Sequence, residues 1–296
     1  MINLGFDVKA FLNHVTVFLR ESIGDKVAVF GLSGGIDSTT VAYLLARALP
    51  KERIIAVLMH ESEDEDFRDA LEVVERLGIR KEIRFLKVPE ELKGDDKIAL
   101  GNVKARLRMV TLYKLANELS GIVVGTSNKS EMMIGYFTKR GDGAADIYPI
   151  ADLYKTQVYM LARELGVPEK IIKKKPSARL RPGQYDEEEI GLSYELLDKI
   201  LKGLELFYTP KEISEELGVP LETVLRVKAL VMNSRHKRRK KPLRASLRAP
   251  GFDRREPGYR RRTITKRGSL EIFSIAACRL SSIRHLVPSR VCSLRK

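Results

Sequence analysis

The stretch FGLSGGIDSTTVAYLLARAL, Phe30 to Leu49, combines residue types that can hold a phosphate with one that should repel it. Ser33-Gly34-Gly35-Ile36-Asp37-Ser38 follows an apolar run ending at Gly31 and opens a helical pattern. Glycines let backbone amides approach an oxyanion closely, and a helix N-terminus adds unpaired N–H groups with a favourable dipole. Asp37 stands inside that cradle. A bare carboxylate there repels a polyphosphate unless a hard cation such as Mg2+ lies between them. The lysine of a nucleotide-hydrolysing P-loop is missing. On these residues alone, Ser33 and Asp37 also suit plain helix-capping roles.

Positioning such a loop takes a scaffold, and the chain supplies a rhythm. Phe6 to Arg20 reads as a leading amphipathic helix. Short β-branched runs then alternate with helical patterns: KVAVFGL (26–32), a helix to about Leu49, RIIAVLM (53–59), a helix to about Leu77, IRFLKV (83–88), a helix from about Ile98 to Leu119, and GIVVGTS (121–127). Apolar strands separated by crossover helices indicate an α/β fold with a doubly wound parallel sheet. Ligands of such sheets bind outside the carboxyl ends of the strands, here Ser33 to Ser38, His60 and just beyond, and Thr126 to Glu131. Beyond Gly135 a Gly/Asp-rich loop leads to a helix, YKTQVYMLARELGVP. Lys173 to Asp186 reads as a mobile loop over the site, and a helix is expected from about Glu187 to Leu201.

Composition narrows the chemistry. The only cysteines among 296 residues are Cys278 and Cys292, so residues 1–277 offer no thiol nucleophile, disulfide or cysteine-ligated metal. No apolar run approaches a membrane span and the start lacks a signal-peptide pattern, so a cytoplasmic location is expected. The net charge of +15 is concentrated at one end: Asn233 to Lys296 carries 20 Lys/Arg against 3 Asp/Glu, leaving 34 against 36 elsewhere. A nucleic-acid argument from charge therefore concerns the last 64 residues alone.

S-G-G-I-D-S after a strand resembles the pyrophosphatase loop of the N-type ATP pyrophosphatases, a group that attacks the α-phosphate of ATP and releases pyrophosphate. GTSNKSEMMIGYFTKRGDGAADIYPIADLYKTQV (125–158) and KPSARLRPGQYDEEEIGLSYELLD (175–198) resemble the ammonia-dependent NAD synthetases, as do NVKARLRM (102–109) and SRHKRR (234–239). The likeness spans about residues 5 to 241. It implies a Rossmann-like, adenine nucleotide alpha hydrolase-like fold over residues 1–241 with a C-terminal helical part, and a separate irregular basic tail over 242–296. It implies ATP as co-substrate, Mg2+, deamido-NAD and ammonia as substrates, and a homodimer with the dinucleotide site near the interface. Residue by residue, it places ATP phosphates on Gly31, Leu32, Ser33, Gly34, Gly35, Ile36, Asp37 and Ser38, further ATP contacts at Thr126, Lys155 and Ser177, and Mg2+ on Asp37 and Glu131. It places deamido-NAD on Arg106, Lys139, Asp146, His236 and Lys237.

Two catalytic assignments follow: Lys155 at the phosphates, and Asp142 in the GDG turn as acceptor of the proton that ammonium must lose. A turn role for Asp142, a solvated face for Glu131 and Lys139, and a structural role for His236 are the plainer alternatives. Glutaminase modules commonly use a cysteine nucleophile, so its absence from residues 1–277 favours free ammonia, supplied directly or by a separate subunit. Met59-His60-Glu61 departs from the proline-containing turn of the family, and His60 receives no role.

The competing readings are another ligase of the same loop class, and a nucleic-acid-binding or tRNA-modifying protein. PKEISEELGVPLETVLRV resembles a helix-turn-helix ahead of a basic stretch. Its second helix offers mostly apolar residues and Glu222 rather than Arg, Asn or Gln, so it suits packing better than base reading. After Lys241 the family likeness stops. The Arg- and Ser-biased remainder reads as an altered frame, a solvated appendage or a basic arm for RNA or an acidic partner.

Overall fold

The computed structural model describes residues 2–181 and 183–238. Helix α1 (Val8–Ile23) starts at Asp7, whose carboxylate accepts from the Ala10 amide at 2.9 Å, and buries Leu12, Val15, Leu19 and Ile23 along one stripe. Burying each such side chain contributes about 1.5–3 kcal/mol. Strand β1 (Val27–Gly31) then leads through the glycine loop into α2 (Ile36–Ala48). Strand β2 (Ile54–His60) is buried along its whole length and is followed by α3 (Glu65–Leu77), capped by Asp64. Strand β3 (Arg80–Phe85), α4 (Lys97–Glu118) and β4 (Gly121–Val124) complete the sheet region.

All four strands are parallel in the order β3-β2-β1-β4. The order reverses between β1 and β4, where Phe30 lies beside Val124. The carboxyl ends of those two strands therefore open side by side at the topological switch point. One face of the sheet packs Ala28, Phe30, Ile54 and Leu58 against α1, α2 and α3. The other packs Val29, Ile55, Val57 and Val123 against α4 through Ala116 and Leu112.

The expected strand at 83–88 is corrected to residues 80–85. Arg80, Lys81, Glu82 and Arg84 pair with β2 on one side only, and such an edge strand does not need the apolar residues that mark a central one.

Beyond β4 come α5 (Lys129–Ile134), α6 (Lys155–Glu164) and α7 (Glu169–Ile172). The helix expected over 187–201 is two helices, α8 (Asp186–Ile190) and α9 (Tyr194–Glu205). Gly191, at φ 72°, ends the first and Ser193 caps the second. Arg226 fixes that break by donating to the carbonyls of Ile190 and Gly191 at 2.7 and 3.1 Å.

Helices α10 (Pro210–Leu217) and α11 (Leu221–Asn233) form the helix-turn-helix-like pair. They bury Ile213, Val224 and Val227 in a second apolar cluster with Leu197, Ile200 and Leu201 of α9, which uses the pair for packing. Ile2 and Leu4 belong to the same cluster. Among the described residues no helix is long and apolar enough to cross a membrane. The basic tail lies outside them, as does every reading made of it.

Candidate active site

The glycine loop holds its shape through its own serines. Ser38 Oγ accepts from the Ser33 amide at 3.1 Å and donates to the Gly35 carbonyl at 3.2 Å, while the Ser33 and Ser38 hydroxyls lie 3.0 Å apart. Gly34 has φ +77°, and a Cβ there would lie 2.2 Å from the Asp66 carbonyl oxygen. The loop is thus pressed against the first turn of α3. The N-cap of α2 is Gly35, and no side chain caps the helix. This decides against capping roles for Ser33 and Asp37, and leaves the first amides of α2 available to an anion.

Asp37 projects from the first turn of α2 toward β4 and α6. Lys155 Nζ donates to its Oδ2, and Asn128 Nδ2 donates to its Oδ1 at 3.1 Å. Lys155 is the first residue of α6 and only 2% exposed. Its ammonium also lies 3.8 Å from Glu131 Oε1. Glu131 is held by a capping box at the start of α5: its amide donates to Asn128 Oδ1 at 3.0 Å, and its Oε2 accepts from the Asn128 amide at 3.3 Å. Asn128 therefore ties the two acidic residues to one geometry. Burial, reinforced by the Asp37 charge, pushes the Glu131 carboxyl well above its ordinary range. Burial works against the charge on Lys155, but Asp37 and Glu131 outweigh it and hold the ammonium protonated.

Helix α9 aligns these elements from behind. Asp198, fully buried, accepts from Ser130 Oγ at 2.5 Å and from the Thr156 amide at 2.8 Å, while Ser130 Oγ accepts from the Lys155 amide at 2.9 Å. One carboxylate thus fixes both the neighbour of Glu131 and the first turn that presents Lys155. Two turns further along the same helix, Glu205 accepts from Lys129 Nζ and from Tyr154 Oη, the latter at 2.9 Å.

The loop, Asp37, Glu131 and Lys155 share the wall of one cavity of about 450 Å3. Thr126, Ser177 and Asp142 also line it. Ser177 Oγ donates to the Gln184 carbonyl at 2.5 Å. Asp142 Oδ1 accepts from the Thr138 amide at 2.8 Å. Burial raises the Asp142 carboxyl, against the hydrogen bonds from Thr138 and the charge of Arg108. Residues 173–181 and 183–185 are irregular, as expected, and border the cavity. They are anchored to α3 by Lys174 and Arg179, which pair with Asp66 at 2.6 and 2.8 Å.

The residues expected at the dinucleotide are more dispersed. Lys237 lines an adjoining cavity of about 160 Å3 and donates to the carbonyls of Gly135 and Phe137 at 2.6 and 2.7 Å. Arg106, Lys139 and His236 are exposed and line neither cavity. Asp146 lies outside both as well, accepting from the Val123 amide at 2.8 Å and from Tyr113 Oη at 3.3 Å.

Sequence reasoning missed several residues in or behind the cavity wall. Asn128 had a signal, because N-x-x-E ahead of a helix is a capping-box spacing. Asp186, buried at the start of α8 with Tyr194 Oη 3.1 Å from its Oδ2, had none. Nor did Arg108. His60 is buried on the cavity wall, its ring edge-on to Phe67.

Comparison with known proteins bears on what this arrangement does. The NAD synthase family model matches residues 8–241. The NH(3)-dependent NAD(+) synthetase of Pyrococcus horikoshii is 47% identical over 240 residues, covering 79% of this chain and 93% of that protein. That of Archaeoglobus fulgidus is 49% identical over 231 residues, covering 75% and 90%. Among solved structures, the NH3-dependent NAD synthetase from Campylobacter jejuni in complex with the nitrate ion is similar with a TM-score of 0.68 and 30% identity, over 81% of this chain and all of that one. The NMN synthetase from Francisella tularensis gives a TM-score of 0.69 and 34% identity, over 84% and 100%.

Proposed function

The chain belongs to the NAD synthase family, and from that premise we propose that it is an ammonia-dependent ligase that converts deamido-NAD to NAD while ATP is cleaved to AMP and pyrophosphate. The observation that carries this reading is the convergence of the uncapped α2 N-terminus, Asp37, Glu131 and Lys155 on one cavity at the switch point of the sheet.

The nicotinate carboxylate is a poor electrophile because its oxygen is a bad leaving group. It attacks the α-phosphate of ATP and becomes a mixed anhydride with AMP, which ammonia then opens to the amide. The amides of Ile36 to Ser38 at the start of α2 receive the β- and γ-phosphates, with Thr126 and Ser177 on the same cavity wall. Lys155 is held charged and immobile, so its ammonium meets developing negative charge without reorganising.

Asp37 and Glu131 fit a hard divalent ion. They are two carboxylates facing a single ammonium, and Mg2+ is commonly held by one or two carboxylates together with substrate phosphates. Among the described residues no group of three His, Cys, Asp or Glu forms a complete protein-only metal site, which agrees with a site finished by phosphate oxygens. When bound, Mg2+ neutralises the departing pyrophosphate. Asp142, whose carboxyl is raised by burial, accepts the proton from ammonium. The exposed Arg106, Lys139 and His236 suit a dinucleotide site that a second copy of the chain completes.

The test is purified protein with ATP, Mg2+, ammonium and either deamido-NAD or the corresponding nicotinate mononucleotide. NAD and AMP are expected in equal amounts. ADP in place of AMP contradicts attack at the α-phosphate, and faster turnover of the mononucleotide reassigns the substrate.

A further inference from the structure

Most cations around the main cavity are neutralised by the protein itself. Lys104 pairs with Glu61 at 2.5 Å, Lys155 with Asp37, Lys174 and Arg179 with Asp66, and Arg181 with Glu189. Lys175 is exposed and lies over the Tyr185 ring. Arg108 differs from all of these. Its Nε is buried with no hydrogen-bond partner, Nη2 reaches only the Arg179 carbonyl at 3.5 Å, and no carboxylate among the described residues lies within 4.0 Å. Buried charges in proteins are ordinarily paired, so a half-buried guanidinium whose Nε is fully enclosed, and which lines a cavity without its own acid, is arranged for an anion that arrives.

The place of Arg108 on α4 says which anion. Ala105, Arg108 and Leu112 lie on one face of the helix. At one end of that face, the Ala105 methyl is 3.1 Å from where a Cβ on Gly141 would stand, beside Asp142. At the other, Leu112 Cδ1 is 3.8 Å from the corresponding point on Gly31, where the phosphate loop begins. Arg108 therefore sits between the turn assigned to ammonia and the loop assigned to ATP. A carboxyl carbon that is first adenylated and then attacked by ammonia must occupy that interval. The nearest acids, Glu61 and Asp142, attract the guanidinium from a distance, but Glu61 is engaged by Lys104 and Asp142 by the Thr138 amide.

We propose that Arg108 clamps the carboxylate of the substrate that is to be activated, and so favours the acid over the amide product. The inference rests on the function proposed above. Planar guanidinium matches carboxylate bidentately, whereas a neutral amide offers one acceptor and a mismatched N–H2 group.

The test is equilibrium binding of deamido-NAD, NAD and AMP to wild type, Arg108→Gln and Arg108→Lys, with melting temperatures as folding controls. Wild type is expected to prefer deamido-NAD over NAD by roughly 10- to 100-fold, the worth of a charge-assisted hydrogen-bond pair. Arg108→Gln should lose that preference with NAD affinity unchanged within about twofold, and Arg108→Lys should keep part of it. Equal loss for acid and amide would mark a structural role, and loss confined to AMP would give the guanidinium to a nucleotide phosphate. Either overturns the proposal, as does a wild type that does not discriminate, whether or not the variants fold. A wild type that binds neither dinucleotide overturns the parent reading instead, and this inference with it.

Discussion

Replacing Gly34 with alanine isolates the contact that shapes the phosphate loop. Two costs add. At φ +77° a side chain costs about 1 kcal/mol in backbone conformation. The new Cβ also meets the Asp66 carbonyl oxygen at 2.2 Å, so one backbone must move by most of an ångström. Asp66 resists that shift because its side chain is tied to Lys174 and Arg179. Overpacking of this kind costs about 1–3 kcal/mol. The total of about 2–4 kcal/mol corresponds to a melting temperature lower by roughly 4–16 °C for a domain of this size. Gly218→Ala is the control: its φ is +64° and nothing lies within 4 Å of the added methyl, so only the conformational part, roughly 2–4 °C, should appear. Thermal melts of both variants and steady-state turnover against ATP concentration read the difference. Gly34→Ala should lose ATP saturation as well as stability. Equal melting shifts for the two variants, with ATP kinetics intact in Gly34→Ala, would refute the argument that the loop is shaped by contact with α3.

Three further outcomes are expected. Asp37→Ala should lower turnover by roughly 100- to 1,000-fold, yet melt higher than Gly34→Ala because Glu131 remains beside the Lys155 ammonium; normal turnover at low Mg2+ would remove Asp37 from the chemistry. Asp142→Asn should slow amide formation by roughly 100-fold or more while deamido-NAD-dependent exchange of pyrophosphate into ATP persists; loss of both together would contradict its assignment to ammonia. Glu205 is opposed by burial, but hydrogen bonds from Lys129, Lys202 and Tyr154 outweigh it and hold the carboxyl at about 2, against 4.5 when unperturbed. A depressed carboxyl stabilises above its unfolded pKa and loses that contribution as pH falls through its folded one. With Glu205 about a third exposed, solvent screening reduces the effect, so Glu205→Gln should cost about 1 kcal/mol at pH 7. Denaturant melts at pH 7 and pH 3 should show that gap narrowing, and a constant gap would exclude the linkage.

The parts of this molecule that follow a period were legible before the fold was known. Val27 to Phe30, Ile54 to Leu58 and Ile122 to Val124 are apolar because they are buried on both faces of a parallel sheet, and their spacing left room for the helices between them. β3 was misplaced because an edge strand is not under that constraint, and the break at Gly191 was missed because a single positive φ leaves little trace in a helical pattern. Asp37, Glu131 and Lys155, which line one cavity, could be singled out in advance because they lie in or beside contiguous motifs. Asp198 and Arg108 were not. Asp198 acts on Ser130 and Thr156, 68 and 42 residues away, and Arg108 is informative only through the partner it lacks. Such facts exist only once distant segments are side by side.

The seating of Ile2 and Leu4 among the helices α9 to α11 has a kinetic consequence. The Ile2 amide donates to Glu216 at 2.5 Å across 214 positions of sequence, and Gln157 Nε2 holds the Leu4 carbonyl at 2.9 Å. On the ribosome Ile2 and Leu4 emerge long before the helices that receive them, so they must wait unburied while the sheet assembles. Closing so long a loop late makes this clasp a slow step, and the place where polar substitutions at Ile2 or Leu4 would most readily delay maturation.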